Sequence, residues 1–556
     1  MTDEQRRQGG LTRKQLLGAG AGAAAAAVLS PSLGLADKAM AAAKPGAAGG
    51  KGLGGKNVIL FLTDQERLIQ HFPPNWAREN LPGLRRLTRN GLSFESACTA
   101  ACMCSPSRSS LMTGFFPAQH GVKYTLESNM PADEYPQVNL PTSLPNLGTV
   151  MKAAGYNVVY KGKWHCSKPQ DEELGAQPSD LEAYGFDRWD PPDAGANQSI
   201  SEAGGGVTNN DGRIMESKGQ AAQAAEGAMQ YLDTVAGKQE PFFLVVSLVN
   251  PHDVLFYPSK TFDESGYDDS WLSGDIEVPP TNEEDLSTKP SVQEQFLKIF
   301  NLTGKPESEA EKRSYLNFYG NLMRSSDNYL VEVLDKLESN GMIDDTLIIR
   351  TSDHGEMGLS HGGLRQKNFN FYEESLKVPL VYSNPKMYPR PVTSDALVSH
   401  VDLVPTLATL AGTPKSAKAN WQGVDYSDIV LNHGRGKEPQ DYVAFTYDDF
   451  QSGQAHGPYP KEPRHLICVV EKRWKLAKYH DVDVKVGAEG KIEESPGPKP
   501  SQWELYDLKT DPNEEVNLAF DGYERTAYQE REFLRLKKKL AKVEKTRLKP
   551  LAKTPS

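Results

Sequence analysis

The stretch NVILFLTDQ, residues 57–65, decides the fold, because an unbroken apolar run there ends in an acid and an amide. A run without polar alternation is typical of a strand buried on both faces, as at the centre of a parallel sheet. Similar apolar runs follow at residues 156–165, 241–253, 346–356 and 378–384. They predict a sheet whose central strands are hidden from water.

Helical patterns alternate with these runs, at residues 143–154, 220–235, 314–340 and 401–411. Alternating strands and helices predict an α/β fold, a large mostly parallel sheet sandwiched by helices, over residues 57–435. Beyond about residue 435, shorter alternating segments predict a smaller α+β domain built on an antiparallel sheet. That domain is expected over residues 436–546, with a charged helix from 524 to about 546 and a tail at 547–556.

The first 36 residues predict an export signal. A basic start precedes an Ala/Gly-rich run at 16–29, which is too short and too weakly apolar to span a membrane stably. TRKQLL, residues 12–17, resembles a twin-arginine motif with Lys14 in place of the second arginine, which implies export to the periplasm or exterior. A general secretory signal and a disordered leader are the alternatives. Residues 37–56 predict a flexible linker, and no stable membrane insertion is expected elsewhere.

Composition excludes some classes of protein. The net charge of −11 over 556 residues argues against nucleic-acid binding, which needs a basic surface. Five cysteines are too few and too irregular for a disulfide framework. Zinc binding through Cys98, Cys102, Cys104 and Cys166 is disfavoured, because paired C-x₂-C spacing is missing. A Cys98–Cys102 bridge stays open.

Polar side chains follow directly on four of the predicted strands. Since parallel strands present their carboxyl ends at one edge of a sheet, these side chains predict a common site. Carboxylate and amide oxygens with one imidazole suit a hard divalent cation. Any one of these pairs alone would indicate only a turn at the end of a strand. The residues concerned are Asp64, Gln65, Lys163, His165, Asn250, His252, Asp353 and His354.

One further motif connects these residues to a known protein family. Within CMCSPSRSSLMTG, residues 102–114, the run from Cys104 to Arg108 resembles the C-x-P-S-R motif of type I sulfatases of the alkaline phosphatase superfamily. In that family a dedicated enzyme oxidises the cysteine to formylglycine. Cys102 lies two residues before the cysteine position of the motif and does not fit it. GKWH, NPHD, SDHGEMGLSHGG, LRQKNFNFYEES and ELYDLKTDPNEEVNL follow in family order, so the resemblance covers most of the chain after residue 56.

The resemblance implies a metal site with Ca²⁺ as the expected ion and Mn²⁺ or Mg²⁺ as alternatives. Its implied ligands are Asp64, Gln65, residue 104, Asp353 and His354. Many sulfatases have aspartate and asparagine where this chain has Gln65 and His354. The Asp-Gln and Asp-His pairs are similar instead to choline sulfatases and phosphonate monoester hydrolases. The site therefore has one carboxylate fewer, and its imidazole suits Mn²⁺.

The resemblance also implies covalent catalysis. A hydroxyl of the hydrated formylglycine at Cys104, activated by the metal and oriented by Arg108, would attack sulfur. His252 or Lys367 would protonate the leaving alcohol. Lys163 and Lys367 would neutralise the sulfate oxygens.

His165 would then deprotonate the second hydroxyl, so that sulfate is expelled and the aldehyde restored. The expected function is hydrolysis of a small-molecule or carbohydrate sulfate ester, after maturation by a formylglycine-generating enzyme. A phosphonate monoester or phosphodiester hydrolase is the alternative. A non-catalytic binding protein would have lost Cys104, Arg108 or a metal ligand, and none is lost. His361 is expected to be structural.

Overall fold

The computed structural model describes residues 52–68, 71–127, 137–171, 173–196, 199–217, 226–452, 457–486 and 492–551. The predicted export signal and residues 37–51 of the predicted linker lie outside the described residues. Among the helices of the described ranges, none combines the length and the apolar character needed to cross a bilayer.

The described residues form sixteen strands: β1 Asn57–Thr63, β2 Gly91–Phe94, β3 Ala97–Cys98, β4 Ala101–Cys102, β5 Asn157–Gly162, β6 Phe242–Ser247, β7 Thr346–Ser352, β8 Leu380–Ser383, β9 Val392–Ser394, β10 Val398–Ser399, β11 Val443–Tyr447, β12 His465–Val470, β13 Trp474–His480, β14 Val482–Val486, β15 Ile492–Pro496 and β16 Gln502–Asp507.

They also form fifteen α-helices: α1 Trp76–Asn80, α2 Pro82–Arg89, α3 Cys104–Thr113, α4 Pro117–His120, α5 Leu147–Ala153, α6 Asn210–Met215, α7 Ala228–Val235, α8 Lys260–Ser265, α9 Ser291–Phe300, α10 Glu309–Ser339, α11 Ser360–Gly363, α12 Glu373–Leu376, α13 Leu403–Leu410, α14 Ser427–Leu431 and α15 Ala527–Thr546. Short 3₁₀ helices join them at Pro178–Tyr184, Ile200–Glu202, His252–Phe256, Asp269–Leu272, Leu286–Thr288, Asn301–Thr303, Ile343–Asp345, His400–Asp402 and Lys415–Ala417.

The large sheet has seven strands in the order β5-β6-β1-β7-β8-β2-β9. Neighbours from β5 to β7 are parallel, so the carboxyl ends of these four strands share one edge. The predicted mostly parallel sheet is therefore confirmed. The strand predicted at residues 378–384 is the exception, because β8 runs antiparallel to both β7 and β2. A parallel neighbour would need a crossover connection.

Both faces of β1 are covered, which explains its unbroken apolar run. Leu60 packs in a core with α5 and α13, while Phe61, next along the strand, packs in a core with α10. Alternate side chains of a strand point to opposite faces, so a strand covered on both sides needs apolar residues at every position.

The predicted antiparallel sheet near the C-terminus is also confirmed. It has the order β16-β13-β12-β11-β4, and α15 packs against it. Its edge strand β4 comes from far upstream and pairs parallel with β11. This sheet therefore includes the residues immediately before Cys104. The domain boundary at residue 435 stays a prediction.

A buried ion network ties this sheet to the rest of the protein. The Nζ atom of Lys475, on β13, lies 2.9 Å from Glu373 Oε1 and 2.5 Å from Glu514 Oε1, and all three side chains are buried. A buried cation between two carboxylates keeps both of them compensated.

We expect Lys475→Met to lower the melting temperature strongly, with a loss of about 3–5 kcal/mol, because buried Glu514 would lose its cation and Glu373 would keep only its pair with Lys377. Thermal and denaturant unfolding measure this loss. The matched control is Lys472→Met, which removes only partly exposed ion pairs and should cost at most about 1 kcal/mol. Equal losses in the two variants would contradict the prediction.

Candidate active site

Cys104 is the first residue of α3, and all ten residues of this helix are buried. Pro106 stands in the first turn, where a backbone N–H has no helical partner to lose. Arg108 lies one turn further on and shares the face of Cys104. The Ser107 hydroxyl donates to the Asp353 carbonyl at 2.5 Å, which joins the helix to the end of β7. The C-x-P-S-R spacing thus places a thiol at a helix start with a guanidinium behind it.

The Arg108 guanidinium contacts the ends of four strands. Its Nε donates to Asp353 Oδ2 at 2.8 Å and its Nη2 to Asp64 Oδ2 at 3.0 Å. Its Nη1 donates to the Ser247 hydroxyl and to the Lys163 carbonyl, each at 2.9 Å. Burial disfavours its charge, but Asp353 and Asp64 raise the pKa of Arg108 above its usual value. Arg108 therefore positions both carboxylates.

Four side chains converge around Cys104: the ligand atoms of Asp64, Cys104, Asp353 and His354 all lie within 4.8 Å of one another. The Cys104 Sγ atom is 3.2 Å from His354 Nε2 and 3.7 Å from Asp64 Oδ1. His354 Nδ1 faces the Gly355 carbonyl at 3.1 Å, which can only accept, so the lone pair belongs to Nε2. Atoms bound to one ion lie at most about 5 Å apart, so the set fits one divalent cation.

The protonation states also suit a cation. Burial alone would raise the pKa of Asp64, but Lys163, His252 and Arg108 hold that pKa well below its usual range. The Lys163 ammonium is 2.6 Å from Asp64 Oδ2. Burial lowers the pKa of His354. An ionised carboxylate and a neutral imidazole are the forms that bind metals.

A small pocket opens beside this cluster. It brings together four of the predicted residues, Cys104, His165, His252 and Lys367. The other predicted residues do not line it but are fully buried behind it, in contact with the lining residues or with one another: Asp64, Gln65, Arg108, Lys163, Asp353 and His354.

His165 is held in one orientation. Its backbone has a left-handed φ of 54°, and its backbone N–H donates to Asp193 Oδ2 at 2.8 Å. Its Nε2 lies 2.5 Å from the Leu126 carbonyl and must carry the proton, since a carbonyl only accepts. Burial and then Lys163 hold its pKa well below the usual value. Within the described part of the chain Nδ1 has no hydrogen-bond partner, which leaves it free to accept a proton.

His252 and Lys367 complete the predicted set. His252 begins the 3₁₀ helix after β6, and burial, followed by Lys163, holds its pKa well below the usual value. The Lys367 ammonium donates to Gln65 Oε1 at 2.6 Å. The next residue, Asn368, donates to the Tyr447 hydroxyl on β11 at 3.1 Å. The loop that carries Lys367 is thus supported by the C-terminal sheet.

Several residues of the site were not predicted. Phe296 and Phe300 line the pocket one turn apart on α9. Val292, Phe296 and Phe300 recur at every fourth residue, so a helical pattern was present in this segment although no helix was predicted there. Glu127 lines it too, and burial, then Glu202 and Asp449, raise its pKa well above the usual value.

The cysteines outside the motif play no visible part in the site. All five cysteines are free and buried, so the bridge considered between Cys98 and Cys102 is not formed. Burial, and after it the Asp64 carboxylate, raise the pKa of the Cys104 thiol to about 11. The unmodified thiol is therefore protonated at neutral pH.

His361 stands apart from the pocket. Its Nδ1 lies 2.6 Å from Glu284 Oε2, its Nε2 lies 3.7 Å from Glu374 Oε2, and its ring stacks on Tyr372. Burial disfavours its charge, but the two carboxylates raise its pKa to about 9. These contacts match the structural role expected of it.

A mostly parallel sheet that presents buried carboxylates and buried basic side chains at one edge, beside residue 104 at the start of a helix, is the architecture of the alkaline phosphatase superfamily. The family model described as "Sulfatase" matches residues 56–413, and the chain belongs to the sulfatase family. A second model, the C-terminal part of N-sulphoglucosamine sulphohydrolase, matches residues 361–488. The chain is thus a sulfatase.

Individual proteins resemble the chain in sequence or in fold. The chain is 27% identical over 481 residues to the choline-sulfatase of Rhizobium meliloti, over 84% of this chain and 83% of that one. A solved 2-O GAG sulfatase has a similar fold, with a TM-score of 0.63 and 20% identity over 89% and 92% of the two chains. The phosphonate monoester hydrolase of Agrobacterium radiobacter shares the fold at a TM-score of 0.58 and 18% identity, over 88% and 96%.

The His361 cluster predicts a pH-dependent contribution to stability. A histidine whose pKa is about 9 when folded and 6.5 when unfolded stabilises the protein fully below pH 6.5, and the contribution is lost as the pH rises through 9. Its size is about 3 kcal/mol.

We therefore expect His361→Gln to lower the melting temperature most at about pH 6 and hardly at all at about pH 10. Melting curves of both proteins across this pH range give the difference in melting temperature at each pH. The contributions of the other titrating groups cancel in that difference. A gap that stays constant with pH would contradict the assigned charge.

Proposed function

We propose that this sulfatase cleaves a sulfate monoester at residue 104 in its formylglycine form, with a divalent cation held by Asp64, Gln65, Asp353 and His354. The convergence of Asp64 Oδ1, His354 Nε2 and Cys104 Sγ at the start of a buried helix carries this proposal. Arg108 engages the Oδ2 atoms of both aspartates, so their Oδ1 atoms remain on the side of residue 104.

The charges of the site support an anionic substrate. Asp64 and Asp353 are balanced by Arg108 and Lys163, so a bound divalent cation and Lys367 would leave the pocket strongly positive. In a buried site such a surplus stabilises negative charge that develops on an oxyanion. Ca²⁺ is the proposed ion, with Mn²⁺ and Mg²⁺ as alternatives.

Formylglycine would supply the attacking hydroxyl, and the bound cation would stabilise the developing negative charge. The chain's own residues do the rest. Lys367 lies in the pocket and can bind a sulfate oxygen. His165, with Nε2 tied to Leu126, offers Nδ1 as the base. His252 and Lys367 both line the pocket and are the two candidates to protonate the departing alcohol. His252 would first have to gain a proton when the anionic substrate binds, because burial and Lys163 hold its pKa well below the usual value.

A phosphorus ester is the second candidate substrate. The amide of Gln65 and the imidazole of His354 replace two ligands of many sulfatases, in the pattern of phosphonate monoester hydrolases. Phosphonate monoesters and phosphodiesters carry one negative charge, as sulfate monoesters do, so the charge of the pocket does not separate them.

Export and maturation belong to the same proposal. The twin-arginine-like motif at residues 12–17 supports export of the folded enzyme to the periplasm or exterior. A formylglycine-generating enzyme would then act on Cys104 before export, since Cys104 is buried once the chain has folded.

The rates on an aryl sulfate, choline sulfate, a phosphodiester and a phosphonate monoester, measured side by side, test the substrate class. We expect kcat/KM for at least one sulfate ester to exceed both phosphorus esters by about tenfold or more, a difference of about 1.4 kcal/mol. Inert sulfate esters beside a rapidly cleaved phosphorus ester would overturn the first choice.

Residue 104 is tested by substitution and by mass. Cys104→Ala should lower kcat on the order of 10⁴-fold or more, because the nucleophile is lost. Cys102→Ala is the matched control and should leave turnover close to that of the unsubstituted enzyme. The mass of the peptide containing residue 104 should correspond to formylglycine. Unmodified cysteine in fully active enzyme would refute this nucleophile.

A further inference from the structure

Glu356 is a buried carboxylate, two residues after His354, that the proposed reaction does not use. Its Oε1 accepts hydrogen bonds from the Tyr315 hydroxyl at 2.6 Å, from the Gln366 backbone at 2.9 Å and from the Gly358 backbone at 3.2 Å. Its Oε2 accepts from Gln65 Nε2 at 2.5 Å. Four donors therefore fix both oxygens of this carboxylate.

The contact with Gln65 determines which way the Gln65 amide faces. A carboxylate only accepts hydrogen bonds, so the NH₂ end of the amide has to face Glu356. At the other end Lys367 can only donate, and its Nζ lies 2.6 Å from Gln65 Oε1. The Gln65 amide therefore donates to Glu356 and accepts from Lys367. These two neighbours assign the orientation of the amide, which the positions of its oxygen and nitrogen alone would leave ambiguous.

The backbone of Gln65 is fixed independently. Its N–H donates to Asp353 Oδ1 at 3.0 Å, and its carbonyl accepts from the Tyr319 hydroxyl at 2.7 Å. A change at Glu356 would therefore act on the amide group of Gln65 and leave the strand end in place.

We propose that Glu356 is a positioning residue that holds the Gln65 oxygen towards the cation and Lys367. The inference rests on the proposed function, in which Gln65 is a ligand of the cation. An amide turned the other way would present an NH₂ group to a metal ion and to an ammonium, and neither can accept its hydrogens.

The substitution Glu356→Gln tests this without a change in shape. Three donors surround the Oε1 position, so the new amide has to place its oxygen there and its NH₂ group against Gln65. Two NH₂ groups then face each other, and the Gln65 amide turns to relieve the conflict. We expect the affinity of metal-stripped protein for Ca²⁺ and for Mn²⁺, titrated calorimetrically, to fall about 10–100-fold.

A double variant supplies the rescue. In Gln65→Glu/Glu356→Gln the amide at 356 donates to the carboxylate at 65, whose other oxygen faces Lys367 and the cation. We expect cation affinity within about tenfold of the unsubstituted protein, whereas a purely structural role of Glu356 would give no recovery. Should Glu356→Gln fail to fold, the double variant decides alone: recovered affinity supports the proposal, and lost affinity overturns it.

Two further variants separate the possible failures. Tyr315→Phe removes one hydrogen bond to Glu356 but keeps its carboxylate, and cation affinity should stay within a few-fold. Gln65→Ala should weaken cation binding; if it does not, Gln65 is no ligand and the proposed cation set fails. If Gln65→Ala weakens binding while Glu356→Gln binds both cations with unchanged affinity, the positioning role alone is overturned.

Discussion

The buried guanidinium of Arg108 is the constraint on which the rest of the structure depends. Removing such a charge from water costs several kcal/mol unless acceptors surround it. Its acceptors come from the ends of four strands, β1, β5, β6 and β7, so they meet only when the strand order and α3 are both in place. Because Cys104 lies one turn from Arg108, the packing that satisfies the guanidinium also places residue 104 against Asp64 and His354. The hydrogen bonds of Arg108 therefore both stabilise the fold and set the geometry of the site.

The C-terminal sheet is part of this site, although most of it is distant in sequence. Its edge strand β4 leads into Cys104. Further along the sheet, the Tyr447 hydroxyl accepts from Asn368 at 3.1 Å, and the Tyr479 hydroxyl lies 3.3 Å from the Phe369 carbonyl. The loop that carries Lys367 is held by side chains of β11 and β13. A lysine on an unsupported loop would lose much of its positional precision, so the small sheet would contribute to the proposed binding of substrate by fixing Lys367.

Sequence patterns predicted the parts of the protein that depend on local order. The apolar runs with polar endings predicted β1, β5, β6 and β7, because burial on both faces leaves a local pattern in the sequence. Cys104 and Arg108 were predicted from the resemblance of residues 104–108 to a family motif. The observed hydrogen bonds of Arg108 go to two carboxylates, the Ser247 hydroxyl and a backbone carbonyl, and its expected role in orienting the nucleophile stays a prediction. The direction of β8, the pairing of β4 with β11 and the pocket wall at Phe296 and Phe300 were not predicted. Each depends on which distant segment packs against the one in question, and the local sequence of a segment does not indicate its distant neighbour.

Gln65 shows why a metal site with one carboxylate fewer is chemically consistent here. The position lies between Lys367, which can only donate, and Glu356, which accepts four hydrogen bonds. An aspartate or glutamate there would bring two carboxylates within hydrogen-bonding distance of each other in a buried site, where like charges repel strongly. An amide offers an acceptor to one neighbour and a donor to the other. The proposed neutral ligand at position 65 is therefore consistent with the carboxylate at 356, and it would leave the pocket with more positive charge for an anionic ester.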